Sequence, residues 1–171
     1  MDRLWTPWRL DYVSKASNST GSCVFCDAFS AIAGAPGGDA AQASLIVHRG
    51  RAAYVILNKF PYNNGHLMVV FNRHIGRLAD ATPDELTEVM ALTRTAEIVL
   101  TEAYHPHGFN TGLNIGKPAG AGVLDHLHVH VVPRWNGDTN FMTVTGETRV
   151  LPEELFQTAA RLAPLFLRFA D

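Results

Sequence analysis

The sequence predicts an α+β domain built on an antiparallel sheet of about five strands, with one long helix and a C-terminal helix. Three observations carry this. Short runs rich in β-branched and aromatic residues follow one another with tight punctuation between them. One long helical pattern interrupts them, and a second closes the chain. The last strand-like run, "DHLHVHVVPRW" at 125–135, alternates His126, His128 and His130 with Leu127, Val129 and Val131. That is the two-residue period of a strand.

The elements follow in order. Residues 1–22 read as a lead-in carrying Trp5 and Trp8, ahead of "CVFC" with Cys23 and Cys26. The Ala- and Gly-rich stretch "AIAGAPGGDAAQ" (31–42) reads as a flexible loop. "SLIVHRG" and "RAAYVILN" read as two strands joined by a tight turn at Arg49–Gly50–Arg51. "KFPYNNG" punctuates through Pro61 and the Asn64–Gly65 pair, and "HLMVVF" (66–71) is a third strand. Thr82-Pro83-Asp84-Glu85 forms a capping box with proline at the first helical position, which predicts a helix over 83–104. Leu86, Val89, Met90, Thr93, Ala96 and Leu100 then recur at helical spacing and predict its buried face.

"GFNTGLNIG" (108–116) reads as a strand and "KPAGAG" (117–122) as a glycine-rich bend. The histidine run is the next strand, limited by Pro133. Residues 152–169 predict a second amphipathic helix beginning at Pro152. With no internal repeat and no linker pattern, one domain is expected over 1–171, residues 1–22 being its lead-in and 23–171 its core.

Composition narrows the class of function. The chain has 171 residues, 47% of them hydrophobic and 18% charged, as expected of an ordinary globule rather than a disordered chain. The formal net charge of −2 argues against a nucleic-acid coat, which needs clustered Lys and Arg. No apolar run reaches the length of a membrane span, and "MDRLWTPWRLDYV" has no uninterrupted apolar core of a secretory signal. A cytoplasmic protein without nucleic-acid or membrane partners is expected. The two cysteines form one C-x-x-C pair, too few for a disulfide framework.

The chemistry centres on the histidine run. On a strand, the three imidazoles share one face with neighbours about 7 Å apart, while the aliphatics enter the core on the other. Aligned imidazoles on a rigid element suit a metal site or nucleophilic catalysis, in which a ring nitrogen attacks an electrophile. The plainer alternative, ordinary surface histidines, fits strict alternation poorly. The preceding bend "GKPAGAG" offers backbone N–H groups and close approach, which suits an anionic substrate.

At these residues the sequence resembles the histidine triad family of nucleotide hydrolases and transferases. The family signature is His-φ-His-φ-His-φ-φ, with φ apolar, and His126 to Val132 match all seven positions. "ILNKFPYNNGHLMVVFNRH" is similar to the family's nucleotide-binding strand pair, and "GFNTGLNIG" to the strand before the signature. With "LWTPWR" and "HVVPRWNGDTNF", the resemblance is greatest to bacterial diadenosine tetraphosphate phosphorylases and fragile-histidine-triad-like hydrolases. The resemblance implies that His128 attacks the α-phosphorus of a nucleotide or dinucleoside polyphosphate, forming a nucleotidyl-imidazole. His130 would hydrogen-bond the phosphate or bridging oxygen, and His66 would support the site. Asn58 would hold the ribose hydroxyls, Asn114 the phosphate side, and Gly120 and Gly122 would belong to the nucleotide-binding bend. Water or inorganic phosphate would resolve the intermediate, and two protomers would form a homodimer with a continuous sheet.

Many hydrolases of the family carry Gln, then Ser or Thr, where this chain has Gly122 and Val123. Asp125 is also unusual for them. Both departures fit the phosphorylase-like branch better. Some members also bind a structural zinc, and the resemblance assigns its ligands as Cys23, Cys26, His74 and His126. Two thiolates and two imidazoles make a closed tetrahedral set, which leaves no open position for catalysis. Redox chemistry and inert buried thiols are the other readings of this C-x-x-C.

His48, His105, His107, Lys117, Arg134 and the three tryptophans are read as ordinary structural residues. Two rival functions remain: a nucleoside phosphoramidase, and a nucleotide sensor with little turnover. The sensor would need Asn58 and Asn114 but no nucleophile.

Overall fold

The computed structural model describes residues 23–33, 45–138 and 153–170. Trp5, Trp8, the lead-in, residues 34–42 of the expected loop and Pro152 lie outside the described residues.

Alternating and continuous apolar runs become strands β1 (Ile46–Arg49), β2 (Ala53–Leu57) and β3 (Leu67–Phe71), the more polar GFNTG becomes β4 (Gly108–Gly112), and the histidine run becomes β5 (His128–Arg134). They pair antiparallel in the order β1-β2-β3-β5-β4. The described helices are α1 (Val24–Ala33), α2 (Pro83–Tyr104) and α3 (Leu155–Phe169). This is the expected α+β architecture.

The register sorts the side chains into two faces. Val55 pairs with Val69 and Val69 with Val129; Leu57 pairs with Leu67 and Leu67 with Val131. These rows pack against Val89, Leu92, Ala96, Val99 and Leu100 of α2 and against Ala159, Leu162 and Phe166 of α3. The alternate rows are Tyr54–Val70–His128 and Ile56–Met68–His130. They face the other way, where Phe25 of α1 joins Tyr54, Ile56, Met68 and Val70 in a smaller cluster. Because β2 and β3 are covered on both faces, every one of their residues is buried. The two long helices thus seal one face of the sheet and leave the histidine face for chemistry.

Helix α2 starts where the capping box places it. Glu85 N–H donates to Thr82 Oγ1 at 3.3 Å, and Thr82 N–H donates to Glu85 Oε2 at 2.8 Å. Its buried face differs from the expected one. Val89, Thr93, Ala96 and Leu100 are buried, but Leu86 lies at the surface and Met90 is 62% exposed. The stripe that enters the core instead runs through Leu92, Ala96 and Val99, with Glu85 at its head. Arg73, in the loop after β3, donates to both Glu85 carboxylate oxygens at 2.6 and 2.7 Å. That anchor turns Glu85 inward and its neighbour Leu86 outward.

Four further boundaries differ. The last turn of α1 occupies residues 31–33, the start of the expected loop. Strand β4 stops at Gly112, because its ladder with β5 ends at Gly112↔His130. Strand β5 begins at His128, so His126 precedes the strand, in a segment tied by Leu127 N–H to the Ile75 carbonyl at 2.7 Å. Helix α3 begins at Leu155, and Glu153 ahead of it accepts from Thr158, Arg161 and Tyr104.

Pro133 does not end β5, which runs on to Arg134. It ends only the pairing with β3, which reaches no further than Val131. The Pro133 carbonyl points to that side and accepts from Asn63 Nδ2 at 3.1 Å, so the missing N–H falls where no strand remains to receive it.

Candidate active site and metal cluster

Strand β5 places His128 and His130 on the open face with their rings 4.8 Å apart and nearly perpendicular. His128 Nδ1 lies 3.0 Å from the His126 carbonyl oxygen. A carbonyl only accepts, so Nδ1 carries the proton and Nε2 keeps the lone pair. His128 is buried, and burial pushes its pKa below the usual imidazole value against the opposing pull of that carbonyl. The ring is therefore held neutral, the form in which imidazole is a nucleophile.

A second chain of hydrogen bonds sets His130. Tyr62 N–H donates to His66 Nδ1 at 3.0 Å, and Asn58 Nδ2 lies 3.3 Å from the same nitrogen. Asn58 Oδ1 accepts the Phe60 N–H at 2.9 Å, which orients the amide. His66 Nδ1 is thus an acceptor, and His66 Nε2 carries the proton. Nε2 lies 3.0 Å from His130 Nδ1 and donates to it. His130 must then carry its own proton on Nε2. The two triad rings hold complementary forms: His128 presents a lone pair at Nε2, and His130 presents an N–H.

The bend before the triad is more self-contained than expected. Ala119 N–H donates to the Gly116 carbonyl at 3.2 Å, Gly120 N–H to Lys117 at 3.0 Å, and Ala121 N–H to Gly116 at 3.4 Å. Three amides that looked available to an anion are used within the bend. Gly120 serves the turn through its left-handed backbone, at φ 85°. Gly122 is half-buried, and Val123 packs against the apolar cluster around Phe25. Asn114 is half-buried, two residues past β4.

The four expected metal ligands converge from three parts of the chain. Cys23 and Cys26 come from the start of α1, His74 from the loop after β3, and His126 from just before β5. His126 Nδ1 lies 3.3 Å from Cys23 Sγ and 3.5 Å from Cys26 Sγ, and His74 Nδ1 lies 3.4 Å from Cys26 Sγ. All four ligand atoms fall within 4.8 Å of one another. His126 Nε2–H donates to the Phe71 carbonyl at 2.7 Å, so Nδ1 is unprotonated and faces the sulfurs. Burial lowers the His126 pKa, which keeps the ring in its ligating form. Burial and the neighbouring Cys23 raise the Cys26 thiol pKa, so holding the Cys26 sulfur as a thiolate calls for a cation beside it. The donor set fits a closed tetrahedral metal.

Two contributors to the site escaped the sequence reading. Tyr62 acts through its backbone N–H, which no side-chain pattern reveals. Phe25 packs its ring 4.8 Å from His128 and 5.4 Å from His126. The histidines read as ordinary are occupied structurally. His48 stacks on Phe166, His105 closes α2 in a left-handed conformation, and His107 Nδ1 accepts the Asn136 N–H. Trp135 Nε1 donates to the Tyr104 carbonyl, and Arg134 pairs with Asp138 at 2.6 Å.

Comparisons with known proteins give the chain's relatives. The HIT domain family matches residues 40–137. A Mycobacterium tuberculosis protein called AP-4-A phosphorylase is 42% identical over 171 residues, covering 98% of this chain and 86% of that protein. The asymmetrical bis(5'-nucleosyl)-tetraphosphatase of Schizosaccharomyces pombe is 31% identical over 124 residues, covering 72% of this chain and 64% of that protein. Among solved structures, a Zn-bound histidine triad family protein from Mycobacterium smegmatis has a TM-score of 0.65 at 26% identity, covering 87% of this chain and 96% of that one. A family match over more than half of the chain and a 42% identical relative along nearly all of it lead to one conclusion: this chain belongs to the HIT domain family.

Proposed function

We propose that the protein is an enzyme that cleaves diadenosine polyphosphates by nucleotidyl transfer through His128, with inorganic phosphate as the favoured acceptor. The observation that carries this is the opposite protonation of the two triad rings. His128 Nε2 attacks the α-phosphorus and forms an N–P bond, while the bond from phosphorus to the bridging oxygen breaks. The His130 Nε2–H is the donor for that departing oxygen. Phosphate or water then attacks the same phosphorus and gives a proton to His130 Nε2, the N–P bond breaks, and both rings return to their starting forms.

Asn58 braces His66 and, from the same loop, would meet the ribose. Asn114 and the turn closed by Gly120 and Gly122 would flank the phosphates. Val123 offers no hydrogen bond where many hydrolases carry a hydroxyl, which favours a phosphate acceptor, as does the relative called AP-4-A phosphorylase. Cys23, Cys26, His74 and His126 would hold a structural zinc, which would tie α1 to the sheet. We place the enzyme in the cytoplasm as a homodimer. Among the described residues, no helix is long and apolar enough to cross a membrane.

The deciding experiment measures products from diadenosine tetraphosphate with and without inorganic phosphate. ADP and ATP appearing only with phosphate is the expected result. AMP and ATP without phosphate would make water the acceptor. A His128→Asn variant that still turned over would end the covalent reading.

A further inference from the structure

A hydrogen bond at Nδ1 fixes one point of the His128 ring and leaves the ring plane free to tilt. The reaction needs the opposite atom, Nε2, aimed within a narrow cone at phosphorus. Two aromatic walls flank the ring: His130, at 4.8 Å, and Phe25, at 4.8 Å and 53°. His130 is already held by His66. What holds Phe25 therefore bears on the aim of His128.

Phe25 is only 5% exposed, and it is held on three sides. It lies between Cys23 and Cys26, whose sulfurs both approach His126 Nδ1. Its carbonyl accepts the buried Tyr54 hydroxyl at 2.9 Å. Its ring meets His126 edge-on at 5.4 Å. Helix α1 is braced further along by Arg49, whose guanidinium lies 4.5 Å over the Phe29 ring. One turn of α1 thus presents two sulfurs to the cluster and, between them, one ring to the nucleophile. His126 completes the link from the other side, since its ring faces the sulfurs and its carbonyl holds His128 Nδ1.

We propose that Phe25 is a positioning residue for the nucleophile: the Cys-x-Phe-Cys turn seats its ring against His128 and keeps Nε2 aimed at the reacting phosphorus. This rests on the reading of His128 as the nucleophile. It gives the cluster a task beyond stability, because the same turn that would hold the cation sets the wall behind the reactive ring. Phe25 touches no reacting atom, so its loss acts on kcat through His128.

The test uses the full chain with its metal. Phe25→Leu keeps apolar bulk but removes the rigid face, and Phe25→Ala removes both. The readouts are metal content, kcat and KM for diadenosine tetraphosphate, and the His128 tautomer from long-range proton–nitrogen NMR correlations. In Phe25→Leu the expected result is unchanged metal content, KM within about twofold, and kcat lower by about tenfold or more. The single Nδ1–H tautomer of His128 becomes a mixture, and Phe25→Ala exceeds Phe25→Leu in both respects. Wild-type kcat with an unchanged tautomer would overturn the inference. So would a rise in KM alone, which would make Phe25 a substrate contact, or a fall in kcat only where metal is lost.

If neither variant folds, the wild-type spectrum decides: a mixed His128 tautomer, or no cross-relaxation between the Phe25 and His128 ring protons, overturns the inference. His128→Asn in the same assay separates the two claims. If it turns over, the nucleophile reading has failed. If it is inactive while Phe25→Leu keeps full activity and one tautomer, only the role of Phe25 has failed.

Discussion

His66 Nε2 lies 3.0 Å from His130 Nδ1, and this contact decides which nitrogen of His130 can donate a proton. The direction of the chain is set by a backbone amide. Tyr62 N–H can only donate, so every nitrogen downstream of it has an assigned role.

Replacing His66 by Ala should free His130 to adopt either tautomer. The expected effect is a kcat lower by about tenfold or more with KM little changed, because the proposed leaving-group donor, His130 Nε2–H, is lost from a fraction of molecules. His66→Gln, which keeps a donor near His130 Nδ1, should recover part of the loss. Steady-state kinetics on both variants test this, and a wild-type kcat in His66→Ala would refute the relay.

A pH dependence follows from the burial of His128, the proposed nucleophile. Burial lowers the His128 pKa from its ordinary 6.5, so the folded protein keeps the ring neutral to lower pH than the unfolded chain does. As pH falls below 6.5, the unfolded chain takes up the proton first. The stability held in the neutral ring is complete above that pH and is lost as pH falls toward the folded value. The acid limb of kcat/KM for the free enzyme should likewise lie below 6.5. A pH–rate profile with that limb at or above 6.5 would contradict the assignment.

Metal removal should loosen the same corner. Cys23 lies just before α1 and Cys26 on it, while His74 and His126 flank the sheet, so the cluster joins segments far apart in sequence. Elemental analysis is expected to find near-stoichiometric zinc. A Cys26→Ser variant should lose most of it, with a melting temperature lower by roughly 5 °C or more. Purified wild-type protein without metal, or a Cys26→Ser variant with normal metal and normal melting, would remove the cluster from the account.

Much of this arrangement was legible in the residues. The alternation of the histidine run and the Thr82–Glu85 capping box depend on near neighbours; the helix starts where expected, and the strand forms from His128, leaving His126 just ahead of it. The buried face of α2 was only partly legible. Leu86 and Met90 fit a helical stripe as well as Leu92 and Val99 do, and the choice fell to Arg73, which grips Glu85 from another segment. The glycine-rich bend looked like a phosphate cradle, yet three of its amides close on their own carbonyls. Helix α1 was missed because its Ala-rich end merges into a Gly-rich stretch, and what holds it is contact with Tyr54 and Arg49.

By itself, the sequence determined the strand period, the helix start, the ligand types and the signature, since these are local properties of backbone geometry and side-chain chemistry. The tertiary structure decided which nitrogen of each imidazole holds its proton. That choice rests on the Tyr62 amide and the His126 carbonyl, which lie within four residues of the rings they meet, and on two contacts that only the folded sheet makes, Phe71 carbonyl to His126 and His66 to His130. Backbone N–H and C=O groups are the same in almost every residue. What they donate to or accept from is therefore written in the fold rather than in the letters.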